Sequence, residues 1–213
     1  MEVGHETTTA PWLWTDARPP PAGPADNGAG VTTLYSVPGA ANTAVSISPL
    51  VVNIPTPASL GGGTPTGTVF NVSLASTTFQ IAGPGKAGQT VAKALFLFAT
   101  EDGTIVGWNP GIDPSGHFAG PGGVSAVGVI AVDSSGNNFT NPNPNQQTGA
   151  VYKGLAIAAG STPIIASDPN STAVLYASNF RAGAIEVYDA TFECHQARRP
   201  RRPPPRLRGR LQP

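Results

Sequence analysis

The amino-acid sequence predicts an all-β protein made of repeated antiparallel units, and three observations carry this prediction. Glycine (26) and proline (23) make up almost a quarter of the 213 residues, and only 11% of residues are charged. Val, Ile, Thr, Ser and Asn dominate over the residues typical of surface helices, which favours short strands joined by many turns. No window has a sustained helical apolar period, and one glycine–aromatic pattern occurs three times.

The repeated pattern is a glycine, an aromatic residue five positions later, and then a polar residue. It occurs as Gly30–Ser36, Gly103–Asn109 and Gly183–Asp189. Each copy follows a polar turn, and glycine readily adopts the positive φ that tight hairpin turns need. Each copy therefore predicts a turn followed by a strand.

Short apolar runs flank these copies at matching places. Ala94–Thr100 and Ala173–Ser178 precede two of the turns, and their nearly continuous apolar character predicts strands that are covered on both faces. Further strands are predicted at residues 50–54, 66–71, 127–132 and 153–157. If the strands of one unit are lettered A to D, their order along the chain is C and D, then A to D, then A to C.

Four-stranded antiparallel units repeated along a chain are typical of β-propeller blades. We therefore predict a partial β-propeller of about three four-stranded blades, with the first and last blades incomplete. The aromatic residues are 73 and 80 positions apart, whereas a blade typically has about 40–50 residues. Long loops must therefore be inserted, and residues 111–125 and 134–149 have the composition for them. A β-sandwich with similar hairpins is the alternative.

Charge is distributed unevenly along the chain. Seven of the 12 basic residues lie between Arg198 and Arg210, whereas residues 1–193 carry five basic and 12 acidic groups, a net charge of −7. An acidic body argues against nucleic-acid binding, because phosphates attract basic surfaces. No apolar run has the length of a membrane span. A single cysteine, Cys194, excludes an internal disulfide.

Both ends differ in composition from the middle of the chain. We expect residues 1–25 to be an unstructured or non-native start, and residues 26–193 to form the partial propeller. Residues 194–213 are rich in Arg and Pro and should be a disordered tail. Because this richness begins abruptly, it is typical of translation in a wrong frame. The alternative is a polybasic or proline-rich ligand segment.

Four segments carry a resemblance to known proteins: residues 65–71, 98–110, 149–157 and 175–180. They resemble a family of conserved bacterial β-propeller proteins of unassigned activity, which are similar to NHL-type propellers. The resemblance covers residues 26–193 and implies a longer parent protein. It also implies secretion, because family members are usually exported and some end in a PEP-CTERM sorting tail, although the first ten residues here have no recognisable signal-peptide pattern. It supplies no catalytic residues.

Few other motifs suggest chemistry. Gly83–Gly88 has the spacing of a dinucleotide-binding loop, but a β-rich run follows it where that motif requires a helix. Asp133–Asn138 has spaced oxygen ligands like part of a calcium loop, yet it lacks the later bidentate carboxylate. An ordinary loop and an ordinary turn are the simpler interpretations. His5, His117 and His195 have no partner spacing.

The best candidates for a ligand site are Asn27, Asp102 and Asn179, in the polar turns that join strands B and C. Propellers usually bind ligands on the face that carries these turns. Turn capping is the simpler role, because Asn and Asp are preferred in turns without any ligand. We therefore expect these three side chains not to converge on one point.

The sequence predicts no catalytic residue and no cofactor. We expect an exported, non-enzymatic binding or scaffold propeller whose ligand is a protein or a carbohydrate, and fold alone assigns no chemistry. The alternative is a metal-dependent hydrolase of the sugar-lactone type. In that case oxygens of Asn27, Asp102 and Asn179 would surround a divalent ion such as calcium at about 2.3–2.6 Å.

Overall fold

The computed structural model describes residues 23–36, 45–136 and 149–195, and these residues form an all-β protein. Their only helical element is a single 3-10 turn at Lys86–Gly88, so no helix in this part of the chain could cross a membrane. The twelve strands are β1 (Ala25–Asp26), β2 (Val31–Ser36), β3 (Ser46–Asn53), β4 (Pro65–Phe70), β5 (Gln80–Ala82), β6 (Val91–Lys93), β7 (Phe96–Thr100), β8 (Thr104–Trp108), β9 (Val129–Asp133), β10 (Tyr152–Ala159), β11 (Ala173–Asn179) and β12 (Ala184–Tyr188).

The strands form three antiparallel sheets and one hairpin, and none of the sheets closes on itself. The first sheet has the order β1-β2-β3, the middle sheet β4-β7-β8-β9, and the third sheet β10-β11-β12. The hairpin β5-β6 is inserted between β4 and β7. The all-β prediction is confirmed, and the strands of the middle sheet follow one another in the order that the sequence predicts.

The first sheet differs from its prediction at both ends. Ala25 and Asp26 pair with Thr32 and Val31, so a two-residue strand stands where the sequence shows no strand pattern. Strand β3 begins at Ser46, four residues earlier than predicted. Residues 1–22 and 196–213, which carry most of the two predicted unstructured ends, lie outside the described residues.

The middle sheet lies between the other two and packs against both. Every residue of β7 is buried, which confirms that this strand is covered on both faces. Phe96 and Phe98 point to a core shared with the first sheet, whereas Leu97 and Ala99 point to a core shared with the third. Side chains alternate between the two faces of a strand, so one continuous apolar run supplies both cores. Each buried phenylalanine stabilises the fold by about 1.5–3 kcal/mol.

The predicted inserted loop at residues 111–125 is part of the packed structure. Ile112 and Val124 are buried in the two cores. The indole N–H of Trp108, on β8, donates a hydrogen bond to the carbonyl of Ser125 at 3.1 Å. The loop is thus anchored to the strand that precedes it. Most of the second predicted loop, residues 137–148, lies outside the described residues.

Candidate functional site

The three predicted turns have the backbone geometry that their glycines predict. Gly30, Gly103 and Gly183 have φ angles of 67°, 83° and 59°. An L-residue with a side chain is strained in this left-handed region, whereas glycine is not. Each glycine lies directly before a strand, and the strands are β2, β8 and β12. The interpretation of the repeated pattern as a turn followed by a strand is therefore confirmed.

The three turns are linked along one edge of the molecule by the segments that lead from one sheet to the next. A Cβ on Gly30 would lie 2.8 Å from the carbonyl oxygen of Gly63, just before β4. A Cβ on Gly103 would lie 2.7 Å from the carbonyl oxygen of Ala150, just before β10. We call this edge, formed by residues 27–30, 61–64, 101–103, 149–151 and 179–183, the turn edge.

Asp102 uses one carboxylate oxygen to hold the segment before β4. Its Oδ2 accepts hydrogen bonds from the backbone N–H of Thr64 at 2.7 Å and from the Thr64 hydroxyl at 2.9 Å. The neighbouring Glu101 forms an ion pair with Lys153, on the first strand of the third sheet. The turn between β7 and β8 is thus connected both to its own sheet and to the next one.

Asn179 is buried and holds the segment before β10 in the same way. Its Oδ1 accepts hydrogen bonds from the backbone N–H groups of Val151 at 3.3 Å and Ala182 at 3.2 Å. Its Nδ2 donates to Oε1 of Glu186 at 2.8 Å. The Asn179 side chain therefore contacts three places: the linker before β10, its own turn, and strand β12.

Asn27 differs from the other two predicted residues. Its side chain is exposed, and no hydrogen bond to it occurs within the described part of the chain. The structure therefore places all three predicted residues on the turn edge, each on a different sheet. The side chain of Asn179 caps its own turn through the N–H of Ala182, whereas that of Asp102 binds the linker residue Thr64. A calcium sphere shared by Asn27, Asp102 and Asn179 stays a prediction.

The contact of Asn179 with Glu186 belongs to a buried polar network that sequence reasoning missed. Oε2 of Glu186 accepts hydrogen bonds from the phenols of Tyr152 and Tyr188, each at 2.6 Å, and the two phenols lie 2.8 Å apart. Burial raises the pKa of the Tyr152 phenol, and its hydrogen bond to Glu186 raises it further. Burial, followed by the charge of Tyr152 and the hydrogen bond to Glu186, also raises the pKa of Tyr188. The network joins all three strands of the third sheet.

A second cluster that the sequence does not reveal lies beyond the end of β12. Nε2 of His195 is 3.1 Å from Oδ2 of Asp168 and 3.5 Å from Oδ2 of Asp189. None of these three atoms has a hydrogen-bond partner in the described residues, because neither close contact has hydrogen-bond geometry. Burial alone would raise the pKa of Asp189, but hydrogen bonds from Glu193 and Thr191, together with the nearby imidazole of His195, hold it below its ordinary value.

The cluster depends on the segment that follows β12. The backbone N–H of His195 donates to the carbonyl of Val187 at 2.7 Å, and the backbone of Cys194 forms an antiparallel β-bridge with Tyr188. The predicted disordered tail therefore begins with two residues that pair with the last strand of the third sheet. The signal available in the sequence was only an aspartate after β12 and a histidine six positions later.

The other segments considered in the sequence have structural roles. Gly83–Gly88 forms the tip of the hairpin β5-β6, between two strands and without an α-helix to follow it. Oδ1 of Asp133 accepts hydrogen bonds from the N–H of Ser135 at 3.0 Å and from its hydroxyl at 2.6 Å, which closes an ordinary turn. Asn138 and His5 lie outside the described residues, and His117 is exposed.

Comparison with known proteins finds no family model, no curated protein and no solved structure that matches this chain. The turn edge, the Glu186 network and the Asp168–Asp189–His195 cluster are each defined by contacts within the chain itself.

Proposed function

We propose that this chain is an arc of three β-propeller blades with a complete middle blade. The strand order of the middle sheet supports the proposal, because a blade is a four-stranded antiparallel meander. The contact between the first strands of two neighbouring sheets supports it as well, since β4 lies beside β10. A Cβ on Gly67 would lie 2.8 Å from the Cα of Gly154, so the two backbones meet without a side chain between them.

Within this proposal the arc is a non-enzymatic binding or scaffold module of an exported protein, and the turn edge is its contact surface. This proposal rests on one observation: side-chain oxygens at the turn edge bind the backbone of the linkers between the sheets. Asp102 and Asn179 hold the backbone of the adjoining linkers, which makes the edge a rigid platform. Binding residues are commonly presented by loops on a rigid scaffold. Export is supported by the family resemblance alone.

One residue of the turn edge has the chemistry of a contact residue. Phe180 is 74% exposed, although its backbone N–H is fixed by a 2.8 Å hydrogen bond to the carbonyl of Val151. The next residue, Arg181, donates from its guanidinium to the carbonyl of Gly149 at 2.9 Å. An exposed aromatic ring on a fixed backbone offers an apolar face at little entropic cost. A sugar ring or an apolar side chain of a protein fits that face.

A carbohydrate array tests this proposal. The wild-type chain and the variant Phe180→Ala would be compared on immobilised oligosaccharides and bacterial polysaccharides. The matched control is Leu74→Ala, because Leu74 is 98% exposed and lies beyond the far end of β4. We expect binding to weaken at least about tenfold in Phe180→Ala, which corresponds to about 1.4 kcal/mol, and to be unchanged in the control. Binding that is equally unchanged in Phe180→Ala contradicts the turn-edge surface.

The metal-dependent hydrolase makes a different prediction about the same edge. It requires lactone hydrolysis that depends on calcium, stops when the ion is chelated, and is lost in Asp102→Asn. Because an amide can still accept the hydrogen bonds from Thr64, this substitution removes charge with little change in shape. Calcium-dependent turnover that Asp102→Asn abolishes would replace the binding proposal with the enzymatic one.

A further inference from the structure

We propose that Asp168, Asp189 and His195 bind a divalent transition-metal ion of the zinc type. The site is separate from the turn edge and does not depend on the proposed binding function. The side-chain ligand atoms of the three residues all lie within 4.8 Å of one another. Two carboxylates and one imidazole form a donor set that suits zinc, with a fourth position left for water.

Both carboxylates of the cluster are buried, and each has one oxygen without a hydrogen-bond partner in the described residues. Asp168 is 7% exposed and Asp189 is 0% exposed, yet Oδ2 of each has no hydrogen-bond partner in the described residues. A buried ionised oxygen without a partner is costly, so buried carboxylates are normally paired or bound to a metal. Both unpartnered oxygens face the same imidazole nitrogen.

The backbone fixes both carboxylates so that only these oxygens are available. Oδ1 of Asp168 accepts the N–H of Asn170 at 2.8 Å. Oδ1 of Asp189 accepts the N–H groups of Thr191 and Glu193, each at 2.8 Å. With one oxygen occupied in this way, each carboxylate presents the other to the centre of the cluster in a single orientation. Such preorganisation is what a metal site requires of its ligands.

The middle sheet contains an internal comparison for Asp189. Asn109 occupies the equivalent position after β8, and its Oδ1 likewise accepts the N–H of the residue two positions on, Gly111, at 2.8 Å. The second polar atom of Asn109 is an amide nitrogen, which donates to the carbonyl of Lys93 at 2.7 Å. In the third sheet, Oδ2 of Asp189 stands where Asn109 has its amide nitrogen. An oxygen at this position can accept but cannot donate, and a bound cation would be its partner.

The distances favour a zinc-type ion over calcium. Zinc binds imidazole nitrogen and carboxylate oxygen at about 2.0–2.2 Å, so two ligands of a tetrahedron lie about 3.3 Å apart. The observed separations of 3.1 and 3.5 Å bracket that value. Calcium and magnesium prefer oxygen ligands, whereas imidazole suits zinc and its transition-metal neighbours. A bound ion would join residues 160–172, before β11, to the segment that follows β12.

The experiment uses the full chain without a histidine tag and in a Cys194→Ser background, since the exposed thiol is itself a zinc ligand. Zinc is titrated by calorimetry and by its effect on the thermal midpoint, and Co²⁺ reports coordination through its visible absorption. We expect about one equivalent of zinc to bind and to raise the midpoint. The Co²⁺ spectrum should show nitrogen and oxygen ligands.

The test variants are Asp189→Asn, which keeps the shape of the side chain, and His195→Gln, which keeps a polar side chain in place of the imidazole. Asp189→Asn also keeps the Oδ1 acceptor for Thr191 and Glu193. Loss of a ligand should weaken zinc binding more than about 100-fold, beyond the 10–100-fold effect of an outer partner. The controls are Asp113→Asn, a buried aspartate in a similar turn with an unpartnered Oδ2, and His117→Ala.

The outcomes separate a metal site from a simple ion pair. Weakened binding in Asp189→Asn and His195→Gln, with both controls unchanged, supports the site. Absence of zinc binding by the background protein overturns the proposal and leaves a histidine–carboxylate ion pair. Zinc binding that persists in both test variants overturns it as well, because the ion then has other ligands.

Discussion

The backbone N–H of Val151 donates a hydrogen bond to the side chain of Asn179 across the start of the third sheet. The same relationship exists in the middle sheet, where the N–H of Thr64 donates to Asp102. In both sheets, a polar residue at the turn between the second and third strands accepts a hydrogen bond from the residue just before the sheet's first strand. The hairpins of the middle and third sheets therefore share this contact as well as the shape of their turn, and the contact can be tested by substitution.

Asp102→Ala removes both hydrogen bonds to Thr64 at once. Hydrogen bonds to a charged group contribute about 1.5–3 kcal/mol, so we expect the free energy of unfolding to fall by about that amount. Urea denaturation followed by circular dichroism measures the loss. Asn27→Ala is the control, and it should change stability by less than about 0.5 kcal/mol because the side chain is exposed. Equal effects of the two substitutions would contradict the role given to Asp102.

A comparison of Gly103→Ala with Gly183→Ala distinguishes the cost of backbone strain from the cost of a steric clash. Both glycines have positive φ, and a Cβ there costs about 1–2 kcal/mol. Only at Gly103 would the new methyl group also meet a carbonyl, 2.7 Å away, because nothing lies within 4 Å of a Cβ on Gly183. We expect Gly103→Ala to lower the thermal midpoint clearly more than Gly183→Ala does. A reversed order would contradict the packing of the turn against Ala150.

Glu186→Ala should be among the most damaging single substitutions in the third sheet. It leaves two buried phenols and the amide of Asn179 without their acceptor. A buried group that loses its partner costs about 1–3 kcal/mol, so a total loss of about 3 kcal/mol or more is expected. Tyr152→Phe removes one hydroxyl and should cost about 1 kcal/mol. Denaturant midpoints of the two variants decide whether Glu186 is the centre of the network.

The same network predicts how stability changes at alkaline pH. Because the pKa values of Tyr152 and Tyr188 are raised in the folded state, the native phenols keep their protons after those of the unfolded chain begin to ionise near pH 10. The stabilisation is complete below about pH 10 and is lost as the pH rises above it, by about 1.4 kcal/mol per pH unit for each phenol. Thermal midpoints between pH 9 and 11 should fall steeply in the wild type. The slope should be shallower in the double variant Tyr152→Phe/Tyr188→Phe.

The hairpins were the part of the fold most accessible from sequence, for a local reason. The glycine before each aromatic strand marks a backbone conformation that few other residues adopt, and the apolar run of β7 marks burial on two faces. Neither signal identifies partners across the chain. Thr64 lies 38 residues from Asp102, and Val151 lies 28 residues from Asn179. Both are in linkers without a motif, so the contacts of the turn edge required the structure.

The Asp168–Asp189–His195 cluster could not be predicted from the sequence for a different reason. Phe192 adopts a φ of 67°, which is unusual for a residue with a side chain. The segment that follows it pairs with β12, and this pairing places His195 beside Asp189 and Asp168. A conformation that the residue type itself disfavours cannot be predicted from that residue type.

The contact of Gly67 with Gly154 has a geometric consequence. Strands β4 and β10 approach each other closely because neither residue has a side chain at this point. A methyl group on Gly67 would lie 2.8 Å from the Cα of Gly154, so any larger residue would force one of the two backbones to shift. The spacing between the middle and third sheets is therefore set by two residues that have no side chain.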